Sequence, residues 1–132
     1  MHLGNGIICP MTGISMLAAA GAMAFFAYKK ARVDFSKEKL PMVATLTALV
    51  FALQMINFTI PMTGSSGHII GGILLAALIG PYAAFLAMAA ILIIQAVFFA
   101  DGGLLALGCN IFNMGFLACF VAYPFLFKPL TE

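Results

Sequence analysis

Gln54–Gly72 reads Q-M-I-N-F-T-I-P-M-T-G-S-S-G-H-I-I-G-G, and the fold turns on how this stretch is read. It begins inside an apolar run and loses its helical pattern at Asn57. Pro61, Gly64 and Gly67 then break the backbone, and His68 opens the next apolar run. Broken backbone at membrane depth is tolerated only where it lines a cavity or is buried in protein. The only other histidine is His2, the second residue of the chain.

Working outward, 64% of the 132 residues are hydrophobic, 8% are charged, and the mean hydropathy is +1.16. That composition lies far from an ordinary soluble domain and requires several segments in lipid. The chain is short enough for a single membrane domain over 1–132. A net charge of +2 is too small and too localised to point to nucleic acid.

The expected fold is all-α: a polytopic integral membrane helical bundle of about five spans. The first run, 14–28, extends upstream through Ile7 and Ile8. Lys29–Lys39 then holds five of the six basic residues, with Asp34 and Glu38. By the positive-inside rule the loop at about 29–40 is cytoplasmic and the N-terminus lies outside. No Lys or Arg precedes the first run, the wrong order for a signal peptide, so Met1 is expected to stay in the mature chain.

Pro41 suits the first turn of the second helix, which runs to about Asn57 and leaves 57–68 as an outer loop. The third run, 69–79, is too short to span ~30 Å of hydrocarbon alone. It reads as a shortened helix, ending at the turn Gly80-Pro81. The fourth run, 82–100, climbs to Asp101-Gly102-Gly103, and the fifth, about 109–127, descends to Lys128. Every cation is then inside, and Met1, His2, His68 and Asp101 share the outer face.

Gly72, Ala76 and Gly80, like Ala18 and Ala22 or Ala83 and Ala87, recur at the four-residue spacing that lets helix backbones approach. In a chain this rich in alanine, abundance accounts for any single pair. Cys9, Cys109 and Cys119 form no C-x-x-C pair. They read as small buried hydrophobes, the alternative being a Cys9–Cys109 bridge or metal contact. No phosphate loop, G-x-S-x-G, H-E-x-x-H or pair of membrane carboxylates is present, so no catalytic centre is expected.

Metal capture is the chemistry left. A free chain start offers the Met1 amine, the His2 backbone nitrogen and the His2 imidazole. Amine and backbone nitrogen close a five-membered chelate ring, and backbone nitrogen and Nδ1 a six-membered one. His68 supplies a fourth nitrogen, and square-planar nitrogen sites suit Ni(II) or Cu(II). Asn57, Ser66, Asp101, Asn110 and Asn113 lie toward the same side as candidate partners that orient the ligands. A copper-binding factor or a purely structural membrane subunit fits the same residues.

Three motifs in this order resemble one known family: M-H at the start, M-I-N-F-x-I-P…G-S-S-G-H-I-I-G-G at 55–72, and D-G-G-L-L-A-L-G-C-N-I-F-N-M-G at 101–115. The chain is similar to the CbiM/NikM family, the substrate-binding membrane components of energy-coupling factor (ECF) transporters for cobalt and nickel. The resemblance implies capture of Ni²⁺ or Co²⁺ from outside as transported substrate, with no permanently bound cofactor. It places the protein in a prokaryotic cell membrane and links it to cobalamin biosynthesis. It also implies partners: a transmembrane coupling (T) subunit and two cytoplasmic ATP-binding cassette ATPases, with room for a small accessory membrane subunit. Family ligands map onto Met1, His2 and His68, and nickel is not separated from cobalt.

Two departures stand out. Leu3-Gly4-Asn5-Gly6 replaces the Ile-Pro-Asp-Gly that often follows Met-His in the family. Members also usually carry more spans, so a short form, a fragment or one part of a split protein is expected.

Overall fold

The structure is a computed structural model, and it describes residues 2–4, 6–34, 37–62 and 65–131, without the side chains of 33, 34, 59, 65 and 66. Among the described residues four helices are long and apolar enough to cross a membrane. A fifth, short helix stands in the third position. Helix α1 is Pro10–Asp34, α2 is Leu40–Met55, α3 is Gly72–Ile79 and α4 is Pro81–Phe98. The last, α5, is continuous over Leu107–Thr131.

The short third element follows from its borders. Gly71, at φ +72°, caps the start of α3, and Gly80, at φ +84°, ends it. Both are positive-φ conformations that glycine adopts without steric cost. Pro81 then occupies the first turn of α4, where its missing N–H costs nothing. Eight residues at 1.5 Å each give about 12 Å, so α3 covers under half of the bilayer core.

The expected loop at 57–68 contains a small antiparallel hairpin. Strand β1 (Phe58–Ile60) pairs with β2 (Ser65–Gly67), with Phe58 opposite Gly67 and Ile60 opposite Ser65. This satisfies backbone groups that the broken helix leaves open. The architecture is helical as expected, with these two three-residue strands as a local addition.

Helix α4 is the centre of the bundle and packs against α1, α2, α3 and α5. Phe85, Met88, Ile91 and Leu92 are fully buried in it, beside Leu75 of α3 and Met114 of α5. Small residues make these approaches possible: a Cβ on Gly108 of α5 would collide with the α1 backbone at Met16 and Leu17. Gly72, Ala76, Ala83 and Ala87 are buried, whereas Ala18, Ala22 and Gly80 are not. Large apolar side chains such as Phe25, Phe98 and Leu130 are exposed on the rim, as a surface meeting lipid requires.

Within α5, Ile111–Phe127 has π-helical bonding between α-helical ends. Lys128 N–H, for example, reaches the Tyr123 carbonyl. The wider register matters at the site, because it changes which side chains share a face.

Candidate metal centre

The start of the chain reaches the mouth of the bundle. Residues 2–4 tuck in beside the loop that joins α4 to α5. Leu3 N–H donates to Asn110 Oδ1 at 2.9 Å, Asn110 Nδ2 donates to the Leu3 carbonyl at 3.4 Å, and Gly103 N–H donates to the same carbonyl at 2.9 Å. Asn110 is only 2% exposed, and it reads the Leu3 peptide on both sides. Gly102, at φ +101°, has its Cβ position 3.3 Å from His2 Cβ, so a side chain there would press on the histidine.

His2 is only 5% exposed and its ring lies 4.8 Å, centroid to centroid, from that of His68 at an interplanar angle of 30°. Each imidazole has one nitrogen engaged and one left over. His2 Nε2 meets Gln95 Oε1 at 3.0 Å and His68 Nδ1 meets the Ile69 carbonyl at 3.0 Å. Both partners are acceptors, so each engaged nitrogen carries the proton. Among the described residues, His2 Nδ1 and His68 Nε2 are left buried without hydrogen-bond partners. Such orphans are rare in folded proteins.

Asp101 stands beside them. Its Oδ1 lies 3.2 Å from His2 Nδ1, an ion-pair distance without the alignment of a hydrogen bond. Its Oδ2 accepts from Asn57 Nδ2 at 3.3 Å. Burial pushes the His2 pKa below its ordinary value; the Asp101 carboxylate raises it, while His68 and the N-terminal charge lower it. The ring is therefore held neutral, the form that binds metal.

Behind His2 runs a polar chain through the apolar interior. Gln95 Nε2 donates to Gln54 Oε1 at 3.1 Å, and Gln54 Nε2 donates to the Ile70 carbonyl. Gln54 also approaches Met88 Sδ at 3.7 Å. Both glutamines are fully buried. Sequence reasoning missed them.

The other candidates sort as follows. Met1 and the Ser66 side chain lie outside the described residues. Asn113 is exposed and lines a separate groove of about 390 Å³ with Ile69, Leu117 and Ala118. No hydrogen bond among the described residues joins it to the histidines. Cys119 is buried, Cys109 half-buried and Cys9 exposed, and all three are free thiols. The Cys9–Cys109 bridge is therefore absent, and Cys9 instead contacts Thr12 Oγ1 at 3.1 Å.

No set of three His, Cys, Asp or Glu able to hold an ion exists among the described residues. An ion placed between the histidines would need main-chain donors as well. A concavity of about 700 Å³ between α1, α2 and α4 is no rival site. Ala44, Ala48, Phe51, Ala87 and Ile91 line it, with Arg32 among its few polar neighbours. Such a wall suits lipid or another helix, not a divalent cation.

Fold and site together define a class: a multi-pass helical membrane protein with two imidazoles, one buried and one half-buried, paired at one mouth of its bundle. The comparisons give the particular family. Residues 2–132 match the CbiM family, described as the cobalt uptake substrate-specific transmembrane region, and the chain belongs to it. The probable fused nickel transport protein LarMN of Lactiplantibacillus plantarum is 40% identical over 125 residues, 93% of this chain and 38% of that protein. The cobalt transport protein CbiM of Sorangium cellulosum is 34% identical over 93% of this chain and 56% of its own length. The crystal structure of a truncated transition metal transporter superposes with a TM-score of 0.90 at 41% identity, covering 99% of this chain and 61% of the other. The chain thus spans roughly two-fifths to three-fifths of these relatives' length.

Proposed function

We propose that the protein captures Ni²⁺ or Co²⁺ at the outer mouth of the bundle, as the substrate-binding component of an ECF-type uptake transporter. The observation that carries this is the pair of buried, unpartnered nitrogens, His2 Nδ1 and His68 Nε2, on rings 4.8 Å apart. The Met1 amine and His2 backbone nitrogen complete a planar four-nitrogen set around the ion, a geometry that favours Ni(II) or Cu(II). Nickel and cobalt transport in the relatives' names favours the uptake reading over a copper-binding factor. Asp101 supplies negative charge beside the cation, and Asn110 holds the N-terminal segment in place.

In this reading the N-terminus and hairpin face outward, and the basic segment Lys29–Lys39 faces the cytoplasm. The ion displaces the amide proton of His2 to solvent, and the deprotonated backbone nitrogen, the amine and the two imidazoles take the place of its stripped water shell. A transmembrane coupling subunit and two ATP-binding cassette ATPases supply the energy for inward release. The chain itself binds and passes the ion and catalyses no reaction.

The test is metal stoichiometry on protein with a native, untagged N-terminus, beside the same protein with its chain-start amine acetylated. The wild type is expected to bind one Ni²⁺ or Co²⁺ per chain, and acetylation to abolish it by removing the amine that closes the five-membered chelate ring. Equal binding by both would place the ligands elsewhere and overturn the assignment.

A further inference from the structure

We infer that Gln95 and Gln54 form a polarised relay that fixes the tautomer of His2, and so decides which nitrogen of that ring faces the metal. The inference rests on the metal-capture reading and adds two positioning residues to it. Its starting point is the far end of the polar chain. The Ile70 carbonyl can only accept, so Gln54 must turn its amide nitrogen toward it. Gln54 Oε1 then faces Gln95, which must answer with its own amide nitrogen, at 3.1 Å. Gln95 Oε1 is left facing His2, and His2 Nε2 must carry the proton to donate to it, at 3.0 Å. One backbone carbonyl thus sets the direction of every member, and the lone pair of His2 falls on Nδ1.

The relay has a competitor to overcome. Asp101 Oδ1 lies 3.2 Å from Nδ1 and would accept a proton from it. A His2 protonated at Nδ1 could pair with Asp101, but it would offer no lone pair to an ion. Gln95 decides the contest by offering a better-aligned acceptor on the other side of the ring. A buried amide is costly unless bonded, and two fully buried glutamines in one apolar bundle are unexplained by packing alone. The neutral amides also keep the relay uncharged, where a carboxylate would stabilise an imidazolium.

Because the chain has only two histidines, ¹⁵N-labelled histidine gives a two-ring spectrum of the metal-free protein at pH 7.5. The expected result is opposite tautomers, His2 as Nε2–H and His68 as Nδ1–H. Gln95→Leu is expected to shift His2 toward Nδ1–H and to weaken Ni²⁺ binding about 10- to 100-fold, the usual range for a lost orienting partner. Gln95→Glu keeps an acceptor toward His2 and is expected to restore the Nε2–H, but its carboxylate also favours the imidazolium, so Ni²⁺ affinity is expected to recover less than the tautomer. Gln54→Leu leaves that acceptor in place but unanchored, so its effect is expected to be smaller than that of Gln95→Leu.

A wild-type His2 protonated at Nδ1, or a folded Gln95→Leu protein with unchanged tautomer and Ni²⁺ affinity, overturns the relay. If Gln95→Leu does not fold, the wild-type spectrum and Gln54→Leu decide the matter. If the wild type binds no Ni²⁺, the metal-capture reading fails while the spectrum still decides the tautomer.

Discussion

His2 and His68 bring the same side chain to the same place on opposite kinds of support. His2 is held by groups from three parts of the bundle: Gln95 of α4 on its ring, and Asn110 of α5 and Gly103 on the next peptide. His68 is anchored by the carbonyl of its own neighbour, Ile69, at the end of a three-residue strand. One half of the site is built into the bundle and the other rides on a hairpin. The difference teaches that the bundle fixes the N-terminal half through several elements, while the hairpin half is held through its own neighbouring backbone.

The largest expected effects come from deleting the rings. His2→Ala and His68→Ala should each weaken Ni²⁺ binding beyond the roughly 100-fold that is the upper end for orienting partners, measured by equilibrium titration with the untagged protein. Stability should separate them. His2→Ala strands the buried Gln95 carbonyl and should cost about 1–3 kcal/mol of unfolding free energy. His68→Ala breaks a hydrogen bond to its own neighbour and the ring contact that His2→Ala removes as well, strands no buried group of the bundle, and should cost clearly less. Equal losses of stability would erase the contrast between the two halves.

Much of this site was legible in the residues themselves. Two histidines in a chain otherwise poor in polar groups, placed on one face by the run of cations at Lys29–Lys39, pointed to His2 and His68. Asp101 and Asn110 stood out for the same reason, as polar residues at helix ends. Gln54 and Gln95 did not, because each was absorbed into the apolar run around it. Taking every polar residue inside a span as a functional candidate would have found both. Asn113 shows the converse error. It lies three residues after Asn110, which in an α-helix would keep both on one face. The π register of Ile111–Phe127 turns it away. No hydropathy pattern signals that register, just as none signalled the hairpin pairing of Phe58 with Gly67.

A smaller effect probes the N-terminal half without touching a ligand. Asn110→Leu keeps the volume near the N-terminal segment but removes both side-chain hydrogen bonds to Leu3, leaving the Gly103 bond alone. A buried N–H stripped of its acceptor costs about 1–3 kcal/mol. Unfolding of the metal-free protein should show that loss, and Ni²⁺ affinity should drop about tenfold because the segment bearing His2 is less well placed. The corresponding change on the hairpin side, Asn57→Ala, breaks one exposed 3.3 Å hydrogen bond to Asp101 and should alter stability far less. If the two variants behave alike, the hairpin is as rigid as the bundle.

The gentlest probe is the proton. Burial lowers the His2 pKa in the folded protein below the 6.5 of an unfolded chain, so below that pH the unfolded state binds a proton that the folded state resists. Stability from neutral His2 is therefore complete above about pH 6.5 and is lost as the pH falls below it, by at most about 1.4 kcal/mol per pH unit for one proton. Denaturation of the metal-free protein between pH 8 and pH 5 should show this slope, and His2→Ala should abolish it. A slope that survives His2→Ala would mean that another group carries the proton, and that burial of the N-terminal half is not what keeps the site neutral. Ni²⁺ affinity should fall over the same acid range, because the proton and the metal compete for the same lone pair on Nδ1. The two measurements together distinguish a neutral ring enforced by the bundle from one kept neutral only by the ion.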